Sequence, residues 1–342
     1  MTSIEHRLRA SVVHNKAMST AFYSHPDCLL HEMGEWHPES PARLQAIEDQ
    51  LIASRVHTFL DYREAPLAAP EDLLRVHTSE AVARVKANLP AKQERDRADG
   101  SASDGGPYYA IDADTLLNPH SWQAALRAAG AAIAATDAVI AGEVSNAFCS
   151  VRPPGHHATP SASMGFCLFN NVAIAARHAM DVHGLSRIAI VDFDVHHGNG
   201  TEAAFEQDER VLMVSFFQHP LYPYSGVHPT GTAPKHLVNI PVPAYTRGDA
   251  VRELVQHHWL PALKAHRPQM IFISAGFDAH REDEIASMGL VEADYAWITR
   301  QLVEVANTWS SGRIVSCLEG GYSLNALGRS VVAHLRELAD LG

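Results

Sequence analysis

Six short apolar runs, at 147–151, 187–195, 210–217, 237–242, 270–275 and 313–317, constrain the fold of this chain more than any other feature. They are rich in β-branched residues, and several are continuous rather than alternating. That pattern suits strands covered on both faces, as in the middle of a parallel sheet. Helical patterns lie between them: an Ala-rich stretch at 121–141, an amphipathic one at 170–183, and others at 249–265, 292–308 and 324–341. Strands alternating with helices of this length predict an α/β fold. No internal repeat or boundary divides the 342 residues, so 1–342 reads as a single domain. The softest segment, 88–110, mixes charges of both signs with Ser, Ala and Gly and reads as an exposed, mobile loop.

In open α/β sheets, ligands bind outside the carboxyl ends of the strands. Four such ends carry chemistry here. The run 187–195 leads through Asp192 and Asp194 to His196 and His197. Alternation along a strand predicts that Asp192, Asp194 and His196 share one face. Buried charges without partners are costly, so this cluster predicts a bound metal or a closed network. The run 270–275 is followed by Asp278. The run 147–151 is followed by Arg152, His156 and His157, and the run 313–317 by Glu319, Gly320, Gly321 and Tyr322. Asp194, His196 and Asp278 form an oxygen and nitrogen donor set with one open position. That set describes catalytic zinc (Zn2+), with Fe2+ and Co2+ sharing the preference. Such a metal lowers the pKa of bound water and polarises a carbonyl. His156 or His157 is placed to move the proton, and the Tyr322 hydroxyl to bind a developing oxyanion. The pair His257–His258, in a helix without an acidic partner, reads as surface or core polar rather than catalytic.

Composition excludes other classes. With 27 Lys+Arg against 39 Asp+Glu the net charge is −12, which argues against a nucleic-acid or anionic-membrane surface. The four cysteines lack C-x-x-C spacing and suit a reducing compartment. The first fifteen residues lack the apolar run of a signal peptide, and no stretch approaches 18 uninterrupted apolar residues, so a cytoplasmic location is expected.

The strings 37–44, 152–158, 165–171, 192–201, 274–279 and 319–322, in this order, resemble the zinc-dependent histone deacetylase superfamily. It includes class II deacetylases, bacterial histone-deacetylase-like amidohydrolases and acetylpolyamine amidohydrolases. The resemblance spans almost the whole chain. It implies an arginase/deacetylase-like fold, with a central eight-stranded parallel sheet flanked by helices. It implies Asp194, His196 and Asp278 as zinc ligands, His156 and His157 as tandem histidines with His157 the general base and acid, and Tyr322 as the carbonyl-polarising residue. Asp192 would support His156. With Ser215 and the backbone of Asp194, His196 and Phe216, it would also hold a structural potassium ion (K+). Asn199 would pair with His197 or His157, where class I enzymes place an Asp. Gly165, Phe166 and Tyr222 would line the substrate tunnel, and Asp112 or Asp114 would sit at its rim.

The implied activity is hydrolysis of acetyl, or longer acyl, groups from acyl-lysine side chains in proteins or peptides. Polyamine-selective relatives place a gatekeeper Glu where this chain has Ile285, which tilts the reading away from polyamines. The neighbouring Glu282, Asp283 and Glu284 read as a solvated acidic loop. The alternative is a deacetylase of acetylated polyamines or other small acetylated amines. Two further rivals are an arginase-like dimanganese ureohydrolase and a catalytically silent acyl-lysine reader. The resemblance leaves a homo-oligomer open.

Overall fold

The apolar runs become strands because little else in the chain can fill a two-sided core. Val191, Ile273 and Val315 are each fully buried, and burying such a side chain contributes about 1.5–3 kcal/mol. The computed structural model describes residues 19–91, 108–229 and 233–342. In chain order its strands are β1 (Thr20–Ser24), β2 (Leu60–Glu64), β3 (Tyr109–Ala110), β4 (Leu116–Leu117), β5 (Asn146–Cys149), β6 (Ile188–Asp192), β7 (Val211–Gln218), β8 (Leu237–Val242), β9 (Met270–Ala275) and β10 (Ile314–Leu318). Eight of them form one sheet in the order β2-β1-β5-β10-β9-β6-β7-β8, and every neighbouring pair is parallel. β3 and β4 form a separate antiparallel hairpin.

The helices are α1 (Ala42–Ala53), α2 (Pro70–Leu73), α3 (Ser79–Ala87), α4 (Ser121–Ala141), α5 (Asn171–Asp181), α6 (Asn199–Phe205), α7 (Gly248–Leu254), α8 (Leu260–His266), α9 (Glu292–Trp309) and α10 (Leu324–Leu338). Polar caps set the starts of two of them: the Asn170 side chain accepts from the N–H of Ala173 ahead of α5, and that of Thr78 from the N–H of Ala81 ahead of α3. The helical pattern at 249–265 is α7 and α8 joined through a π-type turn, Val255–Trp259, on which His257 and His258 are exposed. α4 is long and apolar enough to cross a membrane, yet 72% of its most apolar window is buried inside the protein. It packs on β5, β10 and α5 and so belongs to the core.

Three differences from the sequence reading matter. Strands β1 and β2 gave no signal; β1 (TAFYS) has only three consecutive apolar residues, and β2 is an edge strand of sequence LDYRE with no fully buried residue. The run 187–195 stops being a strand at Asp192. Most of the loop expected at 88–110 lies outside the described residues.

Candidate active site

The four chemistry-bearing ends belong to β5, β10, β9 and β6, which are consecutive in the sheet. The sheet order thus gathers segments far apart in sequence into one crevice at its carboxyl edge. Past Asp192 the chain turns tightly, and its carboxylates accept from the backbone ahead of them. Asp192 Oδ1 accepts from the N–H of Asp194 at 3.1 Å, and Asp194 Oδ1 from that of His196 at 2.9 Å. Simple alternation therefore fails. Asp192 turns to His156, while Asp194 and His196 converge with Asp278.

The ligand atoms of Asp194, His196 and Asp278 all lie within 4.8 Å of one another, and all three side chains are buried. His196 Nδ1 is 2.9 Å from Asp194 Oδ1 and 3.2 Å from Asp278 Oδ2. Asp278 Oδ1 accepts from the N–H of Val195 at 2.9 Å, whereas Oδ2 is buried and, among the described residues, makes no hydrogen bond and has only the ion-pair contact with the His196 ring. Burial and the neighbouring Asp194 charge push the Asp278 carboxyl up to about 6. Two buried carboxylates and one imidazole, with a free oxygen turned inward, fit a divalent cation: it would neutralise both acids and satisfy the orphan. Gly320 makes the approach possible. Its N–H donates to Asp194 Oδ2 at 2.8 Å, and a Cβ there would fall 2.1 Å from Asp278 Oδ2.

His156 and His157 stand beside this centre, their rings 4.0 Å apart. His156 Nδ1 meets Asp192 Oδ2 at 3.0 Å. Burial disfavours charge on His156, but Asp194 and Asp192 outweigh it and hold its pKa well above the usual histidine value. His157 is the opposite case. Burial, then the charges on His156 and His196, hold it well below that value, so it is a neutral imidazole. Its Nδ1 lies 2.7 Å from Asn199 Oδ1. An amide oxygen only accepts, so this contact puts the proton on Nδ1 and leaves a lone pair on Nε2. Asn199 therefore pairs with His157; His197 instead meets Ser225 Oγ at 2.9 Å and Glu202 Oε2 at 3.0 Å.

Tyr322 lies across the crevice, edge-on to Phe166 at 5.9 Å. Burial pushes its phenol well up, which keeps the hydroxyl a donor. The acidic loop at 282–284 is not simply solvated as expected: Asp283 is buried, and its Oδ2 accepts from the N–H groups of Tyr322 at 2.6 Å and Ser323 at 3.0 Å. It fixes the turn that presents the phenol.

Several further residues within the matching strings brace the site. Glu319 Oε2 accepts from the N–H groups of Gly155 at 2.6 Å and His156 at 3.1 Å, bracing the tandem histidines from β10. Glu39, Arg43 and Arg152 form a fully buried ionic cluster. Arg152 Nη2 donates to Glu39 Oε2 at 2.6 Å, and Arg43 Nη1 to Glu39 Oε1 at 3.0 Å. Arg43 also donates to the carbonyls of Gly321 and Glu319, tying the cluster to the Tyr322 turn. Burial alone would raise Glu39, but Arg152 and Arg43 prevail and hold it at about 2. This depressed pKa makes Glu39 stabilising above the ordinary carboxylate range, and that contribution is lost as pH falls toward 2. Glu39→Gln leaves two buried guanidinium groups without their counter-charge and should cost about 3–5 kcal/mol. Urea denaturation at pH 7 measures it, and a loss under about 1 kcal/mol would remove this role.

The crevice walls are aromatic. Phe166 packs edge-on to His37 at 4.6 Å, and Tyr222 to His157 at 5.2 Å. Gly165 lies against the His157 ring, where a Cβ would come within 2.5 Å of Cδ2. The N–H of Phe166 donates to Thr115 Oγ1 at 2.9 Å, which seats the β3–β4 hairpin and its turn, bearing Asp112 and Asp114, beside this wall. Ser215 stands in register with Asp192 on the adjacent strand and donates to Asn239 Oδ1 at 2.8 Å. Phe216 is buried and stacks on Trp259 at 5.6 Å.

Known proteins share this architecture. The family description "Histone deacetylase domain" matches residues 37–338. A histone deacetylase-like amidohydrolase of Pseudomonas aeruginosa is 38% identical over 325 residues, covering 89% of this chain and 82% of the relative. A probable deacetylase of Archaeoglobus fulgidus is 38% identical over 315 residues, covering 90% and 82%. The solved HD domain of HDA15 superposes with a TM-score of 0.84 at 34% identity, covering 94% of this chain and 90% of that one.

Proposed function

The chain belongs to the histone deacetylase family, and on that footing we propose that it is a zinc-dependent amidohydrolase removing acetyl or longer acyl groups from acyl-lysine in proteins or peptides. The observation that carries this reading is the convergence of Asp194, His196 and Asp278, with neutral His157 and the Tyr322 phenol around them. Zinc held by those three residues would supply an acidified water and polarise the acyl carbonyl. Nε2 of His157 takes the proton of the attacking water while Asn199 holds its Nδ1–H. Asn199 carries no charge, so the imidazolium that forms is supported chiefly through hydrogen bonding. Charged His156, held by Asp192, adds positive potential beside the reacting carbonyl. Tyr322 donates to the oxyanion as it forms. His157 then returns its proton to the leaving amine. Phe166 and Tyr222 enclose the aliphatic stem of the substrate, and Asp112 or Asp114 accepts from its backbone at the rim.

Asp192, Ser215 and the backbone of Asp194, His196 and Phe216 are proposed to hold potassium; the register that sets Ser215 beside Asp192 supports this. A reducing, cytoplasmic setting is proposed from the four free, buried cysteines.

Ile285, which carries no charge beside the crevice, favours acyl-lysine over acetylated polyamines. The test compares an acetyl-lysine peptide, an octanoyl-lysine peptide and acetylputrescine by kcat/KM on zinc-loaded enzyme. Either peptide should exceed acetylputrescine by at least tenfold. The reverse order would move the substrate to small acetylated amines.

A further inference from the structure

A second cluster of ligand-type side chains lies outside the catalytic crevice. Asp137 on α4, His178 on α5 and His183 just beyond α5 bring their ligand atoms within 4.8 Å of one another. His178 Nε2 and His183 Nε2 lie 2.7 Å and 2.6 Å from the same oxygen, Asp137 Oδ1. The two rings meet edge to face, 5.4 Å apart with 72° between their planes. The two Nε2 atoms thus converge on one place beside the carboxylate, as donors to a single ion must.

From this arrangement we propose that Asp137, His178 and His183 form a second metal site, for a borderline divalent cation of the zinc class. Two imidazoles and one carboxylate suit Zn2+, with bonds of about 2.0–2.2 Å that set neighbouring donors roughly 3.3 Å apart. The present separations are shorter, so the carboxylate withdraws by well under about 1 Å on binding. It is free to do so: the Asp137 side chain is 49% exposed and that of His183 25%, whereas His178, at 10%, is held. The exposed side admits the ion and leaves its fourth position to water. The ion cross-links α4 to the end of α5, where the chain turns toward β6 and the catalytic Asp192 and Asp194.

The donor set also separates this site from the catalytic one. Two carboxylates fully neutralise a dication at Asp194 and Asp278; one carboxylate at Asp137 leaves a net positive charge. The second site is therefore the weaker, and the first to empty under a chelator.

The test counts zinc on the full-length chain after chelator treatment and reloading, by equilibrium dialysis with elemental analysis. Wild type should retain two ions, and His183→Ala and Asp137→Asn one each, with kcat on an acetyl-lysine peptide unchanged. Asp278→Ala should retain one ion, and Asp278→Ala with His183→Ala none. Equal zinc content in wild type, His183→Ala and Asp137→Asn would overturn the second site and leave the catalytic reading intact. Undiminished zinc in Asp278→Ala would count against the catalytic reading alone, because the loss on changing His183 is scored separately. Cobalt gives an independent readout: His183→Ala should lose one of two tetrahedral visible bands.

Discussion

Tyr322→Phe should keep its zinc and lose roughly two to three orders of magnitude in kcat on an acetyl-lysine peptide, the effect of removing one oxyanion donor. The substitution is clean because the hydroxyl does not hold the turn in place. The N–H groups of Tyr322 and Ser323 donate to Asp283, and Arg43 holds the Gly321 carbonyl. The Phe166 ring and the Arg43 guanidinium pack against the Tyr322 ring, at 5.9 Å and 5.0 Å, and a phenylalanine preserves both contacts. Only the donor is lost. The phenol's raised pKa means that wild type offers a neutral hydroxyl at all working pH values, so the rate difference should not vary with pH between 6 and 9. KM should change little, since the bond strengthens as charge develops on the carbonyl oxygen. The checks are steady-state kinetics and zinc content on the same preparation. Activity within tenfold of wild type would take the oxyanion role from Tyr322.

The residues that the fold gathers at the site were legible in the sequence for a physical reason. Each follows a buried strand, and charged groups at such places need a partner. Asp194, His196, Asp278, His157 and Tyr322 all stood out as polar chemistry against apolar runs. The supporting residues were harder to read. Glu39, Arg43 and Arg152 had no role assigned from the sequence, which does not show that all three are buried together across more than a hundred residues of chain. The i, i+4 spacing of Glu39 and Arg43 was the one local clue. Asp283 hid among Glu282 and Glu284; its burial depends on the fold of the neighbouring turn. Edge strand β2 carried no periodic signal because a half-exposed pentapeptide need not be apolar. The pair His178 and His183, with its distant partner Asp137, was not singled out either, as it lies on and just beyond α5 rather than at a strand end.

Asp278→Ala should remove the catalytic metal and reduce deacetylation below detection, because only Asp194 and His196 remain at the centre. The stability consequence runs the other way in chelator-treated protein. A carboxyl raised from 3.8 to about 6 holds more protons folded than unfolded across that window, so stability falls as pH rises through it. Above pH 6 the metal-free chain bears the cost of keeping Asp278 charged in its buried place beside Asp194, up to about 3 kcal/mol for a shift of this size. The near-isosteric Asp278→Asn removes the buried charge, and with it the repulsion from Asp194, without opening a cavity. In chelator it should therefore melt above wild type at pH 7 and near wild type at pH 4. Saturating zinc should reverse the order, raising wild type through binding to the folded state alone while leaving Asp278→Asn without the catalytic-site share of that rise. Thermal melts of both proteins at the two pH values, with chelator and with zinc, test charge and coordination separately. If Asp278→Asn were less stable than metal-free wild type at pH 7, the carboxylate pair would be satisfied without a cation, and the argument that this cluster is built around one would fall.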